Sequence, residues 1–253
     1  MKLTDCAALL LAWFSLQVSR RTADRDRTYG YQRFEVLAAF VNGIALFVIV
    51  AWIFYEAVHR FLQPVKILGG IMLVVAVLGL AVNVAAFFLL HGGDRSNLNL
   101  RGAAAHVLGD LFGSIGAIVA AIVILTTGWT PIDPLLSVLV GLLIIKSAWS
   151  IVADSAHILL EGTPRSIDIE RLSTELQEAF PEVRDVHHVH AWSLTPGQSL
   201  VTLHVTVYNG SDQDAVLEKV STFLEQQWQI EHSTIQVEQT NCPRGSSGDG
   251  RIC

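Results

Sequence analysis

The chain has 253 residues, of which 51% are hydrophobic and only 16% charged, with a mean hydropathy of +0.46. Soluble domains carry about 25% charged residues, so this composition excludes a disordered, collagen-like or nucleic-acid-coating chain and indicates a membrane protein. The formal net charge of −6 is unevenly divided, because residues 1–164 carry +1 and residues 165–253 carry −7. Five of the nine histidines lie in the second, acidic part.

Long uncharged segments predict five membrane spans. A helix needs about 20 mostly apolar residues to cross the hydrocarbon core, and four segments meet this length, whereas the N-terminal one is shorter. That first segment contains Asp5 and lacks a cleavage site, so a signal peptide is the less favoured interpretation. We predict a membrane domain of residues 1–164, with spans at about 1–19, 34–60, 67–91, 98–127 and 132–160.

Basic residues set the predicted orientation. Segment 20–33 carries five arginines and the connection 91–101 carries two, whereas the other two connections carry few or no basic residues. The positive-inside rule therefore places these two loops in the cytoplasm, and the C-terminal part follows the last span into the same compartment.

After Pro164 the pattern becomes that of a soluble domain. Apolar residues at three- and four-residue steps predict a helix with Ser166 as N-cap, and alternation predicts two strands. A capping box beginning at Ser211 then precedes a second helix, and a last strand follows. We predict an α+β domain with the order α-β-β-α-β at residues 165–241, of the metallochaperone or ferredoxin-like type, and a flexible tail at 242–253.

Two ionisable residues in the fourth span are candidates for function. His106 and Asp110 are four residues apart, so a helix places them on one face, and both are ligand types that zinc accepts. Zinc prefers four ligands, and Asp5 is the other carboxylate that lies deep in an apolar segment. The alternative is that His106 and Asp110 pair with each other or lie at the interface, and the spacing alone favours this simpler explanation.

Several motifs in order resemble the cation diffusion facilitator family, in its bacterial zinc-efflux branch. The run AAAHVLGDLFGSIGAI at 103–118, followed by TTGWTPIDPLLSVLVGLLIIKSAW, is similar to the family's fifth and sixth helices. KLTDCAALLLAWFS resembles its second helix, YGYQRFEVLAAFVN the entry to its third, and VHHVHAWSL and LVTLHVTV its cytoplasmic strands. The resemblance covers about residues 1–241.

This resemblance implies a secondary transporter rather than an enzyme, in the bacterial cytoplasmic membrane, that exports zinc in exchange for protons by alternating access. It implies transport-site ligands at Asp5, His106 and Asp110, whereas the fourth ligand position falls on Met1, whose thioether is a poor zinc ligand beside imidazole. The family's first helix and the front of its second have no counterpart, so we expect a truncated chain or a start assigned too late.

The resemblance also implies a homodimer with a regulatory zinc site in the cytoplasmic domain, and a charge interlock between Arg33 and Glu161. The implied regulatory ligands are His187, His204, Asp214 and Glu238. Strand alternation predicts that His188 and His190 share one face, with His187 on the other. The alternative is that these histidines are ordinary surface residues of an acidic domain.

Three functions remain open from the sequence. The first is a proton-coupled exporter of zinc or other divalent cations. The second is a membrane-anchored metal-binding or regulatory subunit that does not transport, which the missing ligand would produce. The third, a membrane enzyme that uses His106 and Asp110 as acid and base, lacks any nucleophile or substrate motif.

Overall fold

The computed structural model describes residues 2–63, 69–90 and 98–239, with side chains for 10–63, 69–88 and 107–239. The chain divides into two compact units, residues 1–156 and 157–253. The first contains five helices: α1 (Lys2–Ser19), α2 (Arg33–Leu62), α3 (Gly69–Leu90), α4 (Leu98–Thr127) and α5 (Ile132–Leu159), the last of which runs into the second unit. Within the described residues, four of these helices are long and apolar enough to cross a membrane, and α1 contributes a shorter apolar segment.

Helix α4 is held between its neighbours by small and polar residues. On one side, the Asn83 Nδ2 of α3 donates a hydrogen bond to the Ser114 Oγ of α4 (3.2 Å). On the other side, a Cβ added at Gly109 would lie 3.0 Å from the Ile144 Cγ1 of α5, so the two helices approach closely at this glycine. Helix α1 packs against both α2 and α4. The position of α4 is therefore fixed along the segment that carries Asp110.

Helices α2 and α5 meet at a second glycine contact. A Cβ added at Gly43 would lie 2.6 Å from the Val152 Cγ2 and 3.5 Å from the backbone nitrogen of the same residue. Near their other ends, the Arg60 Nη1 of α2 lies 3.3 Å from the Asp133 Oδ2 of α5. A close contact at Gly43 and an ion pair at Arg60 thus join these two helices at two points.

The close contact at Gly43 gives a test of this packing. Because a β-branched valine has little freedom at χ1, we expect Gly43→Ala to destabilise the protein by about 1–3 kcal/mol, the usual cost of overpacking. The measurement is thermal unfolding of the detergent-solubilised protein. Gly113→Ala in α4 is the matched control, because its added Cβ would have no atom within 4 Å. Equal melting temperatures for both variants would contradict the packing described.

The second unit is a three-stranded sheet with two helices. Its elements are α6 (Ile169–Ala179), β1 (Val183–Thr195), β2 (Gln198–Val207), α7 (Gln213–Trp228) and β3 (His232–Glu238). Strand β1 pairs antiparallel with β2, and β2 pairs parallel with β3. A parallel pair needs a long crossover, which α7 supplies. The predicted fold class, membrane helices followed by an α-β-β-α-β domain, is confirmed.

One face of the sheet packs on the helices and forms the core. Fully buried side chains of α6, α7 and the alternating apolar face of β2 meet there: Leu172, Leu176, Val216, Val220, Leu224, Val201, Leu203, Val205 and Val207. The alternation of β2 therefore turns Thr202, His204 and Thr206 to the opposite face of the sheet.

The helix N-caps differ from those predicted. Asp168, not Ser166, caps α6, because its carboxylate accepts hydrogen bonds from the backbone N–H groups of Glu170 and Arg171. Asp212, not Ser211, caps α7 in the same way, and Asp214 lies in the first turn as one of its backbone donors. Ser, Asp and Asn cap equally well, so residue type could not decide between neighbouring positions.

Candidate metal centres

The membrane site that the sequence predicts is described in part. Asp110 is partly buried on α4. Two contacts near it, the Asn83–Ser114 hydrogen bond and the packing of Gly109 against α5, fix the rotation of α4 and therefore the side of the helix on which Asp110 lies. Asp5 and His106 lie on α1 and α4, but their side chains lie outside the described residues. The two helices that carry these three residues are in contact. This arrangement is consistent with one shared site.

The cytoplasmic unit brings three donors together on the face of the sheet opposite the helices. One ligand atom from each of His187, His204 and Glu238 lies within 4.8 Å of the other two. His187 pairs directly with His204 across β1 and β2, and β3 brings Glu238 alongside. Among the residues whose side chains are described, this is the one such group that could hold a metal ion.

The geometry of these donors suits a cation. The His204 Nδ1 lies 3.0 Å from one oxygen of Glu238, and the His187 Nε2 lies 3.7 Å from the other. Yet the His204 Nδ1 and the Glu238 Oε2 are buried and make no hydrogen bond. Buried polar atoms are costly without partners. Two imidazoles and a carboxylate also form a donor set that zinc prefers, so the residues fit a metal.

Asp185 orients one of these ligands. The His187 Nδ1 lies 3.0 Å from the Asp185 Oδ2, and a carboxylate can only accept, so Nδ1 carries the proton. In the neutral ring this leaves the lone pair on Nε2, the atom that lies 3.7 Å from the Glu238 Oε2, available to bind a cation. A carboxylate behind a ligating histidine fixes the tautomer and raises the basicity of the ligand.

The prediction that His187 lies on the opposite face of β1 from His188 and His190 is wrong because of a β-bulge. His187 pairs with His204, but His190 pairs with Thr202, so His188 and Val189 together oppose the single residue Leu203. An extra residue in one strand shifts its alternation by one. His187 and His190 therefore lie on the same face, since their partners are two residues apart on β2.

Other predicted residues are not brought to this site. Asp214 begins α7 and is not part of the three-residue group, so the structure does not support it as a ligand. Arg33 and Glu161 lie in different units of the chain, and their interlock stays a prediction.

The connection between α1 and α2 has a structure of its own, and its side chains are not in the group of described residues that could hold a metal ion. The Asp24 carboxylate accepts hydrogen bonds from the Tyr31 hydroxyl (2.7 Å) and from the backbone N–H groups of Asp26 and Arg27. These contacts, that with Tyr31 first, hold the pKa of Asp24 below its ordinary value. Arg27 stacks over the Tyr31 ring at 4.8 Å.

The sequence analysis assigned no role to Asp185 and did not predict the bulge at His188. Asp185 has no distinguishing feature in an acidic domain. However, residues two apart in a strand share a face, so its spacing from His187 indicates that the two side chains lie close together. The bulge has no glycine to mark it, so strand alternation wrongly placed His187 on the face opposite to His188 and His190.

The comparisons with known proteins agree with this architecture. Residues 1–160 match the model of the cation efflux transmembrane domain, and residues 164–240 match that of the cation efflux protein cytoplasmic domain. Relatives include "Zinc transporter ZitB" of Shigella flexneri, 50% identical over 96% of this chain and 77% of its own length, and the protein of that name from Escherichia coli K12, 50% identical over 95% and 77%.

A third relative is named for several cations. The "Cadmium, cobalt and zinc/H(+)-K(+) antiporter" of Bacillus subtilis is 39% identical over 93% of this chain and 77% of its own length. Both halves of the chain match the corresponding domains of one family, in the same order. The chain therefore belongs to the cation diffusion facilitator family, as a multi-pass membrane transporter, not an enzyme, with its C-terminal domain in the cytoplasm.

Proposed function

We propose that this protein exports zinc from the cytoplasm in exchange for protons. The observation that carries the proposal is the 50% sequence identity, over nearly the whole chain, to proteins named as zinc transporters. The name of the Bacillus subtilis relative includes protons among the exchanged ions. Asp5, His106 and Asp110 are the proposed ligands of the transported ion, on two helices that contact each other.

The chemistry of these ligands explains the exchange. An imidazole and a carboxylate bind zinc only when deprotonated, so zinc binding expels protons and protonation expels zinc. Histidine titrates near neutral pH, which lets a modest change in proton concentration reverse the occupancy of the site. In alternating access, zinc loads while the site faces the cytoplasm, and protons displace it when the site faces outward.

The cytoplasmic domain has two further proposed roles. His187, His204 and Glu238 hold a regulatory zinc ion, supported by their convergence and by the buried atoms that lack hydrogen bonds. The domain also joins two copies of the chain into a homodimer. The matching family model of this domain is named for dimerisation, and the sheet face that carries the three ligands is not covered by α6 or α7.

A growth experiment tests the proposed function. A bacterial strain without its own zinc exporters should tolerate zinc better, and accumulate less cytoplasmic zinc, when it expresses this chain. Zinc binding by the purified protein without any gain in tolerance would contradict export and would favour a membrane-anchored metal-binding subunit instead.

A further inference from the structure

His188 has an unusual backbone at the centre of the cytoplasmic site. It lies in the β1 bulge with a φ of +48°, in the left-handed region that few residues other than glycine adopt. This conformation is unfavourable for an L-residue, although histidine, asparagine and aspartate accept it more readily than most. Such strain persists only where the surrounding structure maintains it, and it concentrates at functional sites.

The bulge places the His188 ring beside the two histidine ligands. Its centroid is 5.2 Å from that of His187 and 5.2 Å from that of His204, and those two rings are 5.4 Å apart. The three imidazoles thus form a nearly equilateral triangle. In a regular strand, His188 would take the face opposite to that of His187. The bulge therefore converts a pair of imidazoles into a cluster of three.

We propose that His188 is the fourth ligand of the metal held by His187, His204 and Glu238. This inference rests on the proposed cytoplasmic site and adds a residue to it. Zinc in structural sites is almost always bound by four ligands, and the three convergent donors leave one position to fill. His188 is the nearest described imidazole, and it belongs to the same chain.

Binding requires only a small rearrangement. The nitrogen atoms of His188 are not yet among the donors that converge within 4.8 Å of one another. We infer that rotation of the side chain turns a ring nitrogen toward the other three donors, because the His188 ring lies 5.2 Å from both imidazole rings. The left-handed backbone of His188 places its ring beside the other donors, and side-chain rotation then orients its nitrogen toward the metal.

The resulting donor set has consequences for metal choice. Three imidazoles and one carboxylate favour zinc and similar transition metals, whereas magnesium and calcium prefer sites made entirely of oxygen. A single chain then completes the coordination shell, so binding at this site does not need a ligand from a second copy. We therefore expect the ion to bind at protein concentrations below that of dimer formation as well as above it.

The test is His188→Asn in the full chain, with Asp110→Ala present in all samples to remove binding at the transport site. Asparagine tolerates the left-handed conformation, so the bulge is kept while the imidazole is lost. X-ray absorption of the zinc-loaded protein should show three imidazole ligands falling to two. Zinc affinity, measured by chelator competition, should weaken at least about tenfold. Even the loss of a residue that only hydrogen-bonds to a ligand typically weakens metal affinity by this factor or more.

His190→Asn is the matched control, because it lies two residues further along the same strand and is exposed. It should leave both the ligand count and the affinity unchanged. If His187→Ala removes zinc while His188→Asn changes neither quantity, the fourth-ligand proposal is wrong and the three-ligand site stands. If neither variant changes zinc binding, the cytoplasmic site itself is refuted.

Discussion

Asp110→Ala should abolish zinc transport without unfolding the protein. The carboxylate is one of three proposed ligands of the transported ion, and its loss removes both a metal bond and a proton-accepting group. The variant should still fold, because α4 is positioned by the Asn83–Ser114 hydrogen bond and by the Gly109 contact with α5, neither of which involves this side chain. Zinc uptake into reconstituted vesicles and thermal unfolding of the same preparation measure the two effects.

The control for this variant is Asp154→Asn, which removes a carboxylate from another membrane helix, α5. The Ser150 Oγ lies 3.4 Å from the Asp154 Oδ2, one turn away on the same helix. Because Asp154 is not one of the proposed ligands, we expect its variant to keep most of the zinc flux. Loss of flux in both variants, or in neither, would argue against a specific role for Asp110.

Glu238→Gln should remove zinc binding by the cytoplasmic domain. The amide keeps the size of the side chain but loses the negative charge that faces the His204 Nδ1 at 3.0 Å. In the Asp110→Ala background, zinc at about a hundred times its Kd should stabilise the parent protein by about 2.7 kcal/mol, as any ligand of the folded state does. The Glu238→Gln variant should lose this gain, measured as the zinc-dependent rise in melting temperature.

Glu175→Gln is the matched control for this second variant. Glu175 lies on α6 and pairs with Arg171 at the surface (2.7 Å), and an exposed pair of this kind contributes little to stability. Its zinc-dependent stabilisation should equal that of the parent protein. An undiminished zinc effect in Glu238→Gln would mean that the ion binds elsewhere.

The fold was predictable because its signals are local and strong. Uncharged runs of about 20 residues mark the membrane helices, and the three- and four-residue spacing of Leu172 and Leu176 marks the buried face of α6. The alternation of Val201, Leu203, Val205 and Val207 marks the core face of β2. The patterns of α6 and β2 mark side chains that the structure buries in the core of the cytoplasmic domain.

The cytoplasmic site was only partly predictable. His187, His204 and Glu238 were proposed from the resemblance and do converge, but Asp214 was proposed with them and does not. Asp214 does not converge because it lies in the first turn of α7. Which histidines of β1 share a face depends instead on register, since a bulge of one residue shifts the alternation. Register shifts arise from pairing between strands, so the composition of β1 alone does not encode them.

The two proposed metal centres divide the work between the parts of the chain. In the proposed mechanism, protonation of the ligands on the membrane helices drives the exchange, and we expect the acidic cytoplasmic domain to attract cations by its field. A zinc ion on His187, His204 and Glu238 would then report the cytoplasmic zinc level to the dimer. In this proposal the first centre is needed for flux, whereas the second adjusts it.

Coupled ion flux is the most direct test of proton-driven export. Vesicles reconstituted with this protein, acidic inside and with the cytoplasmic domain outside, receive external zinc while zinc and proton movements are recorded together. We predict that zinc enters as protons leave, that collapse of the proton gradient slows both fluxes, and that Asp110→Ala eliminates both. Zinc entry with no accompanying proton movement, or the same coupled flux in Asp110→Ala, would contradict the account.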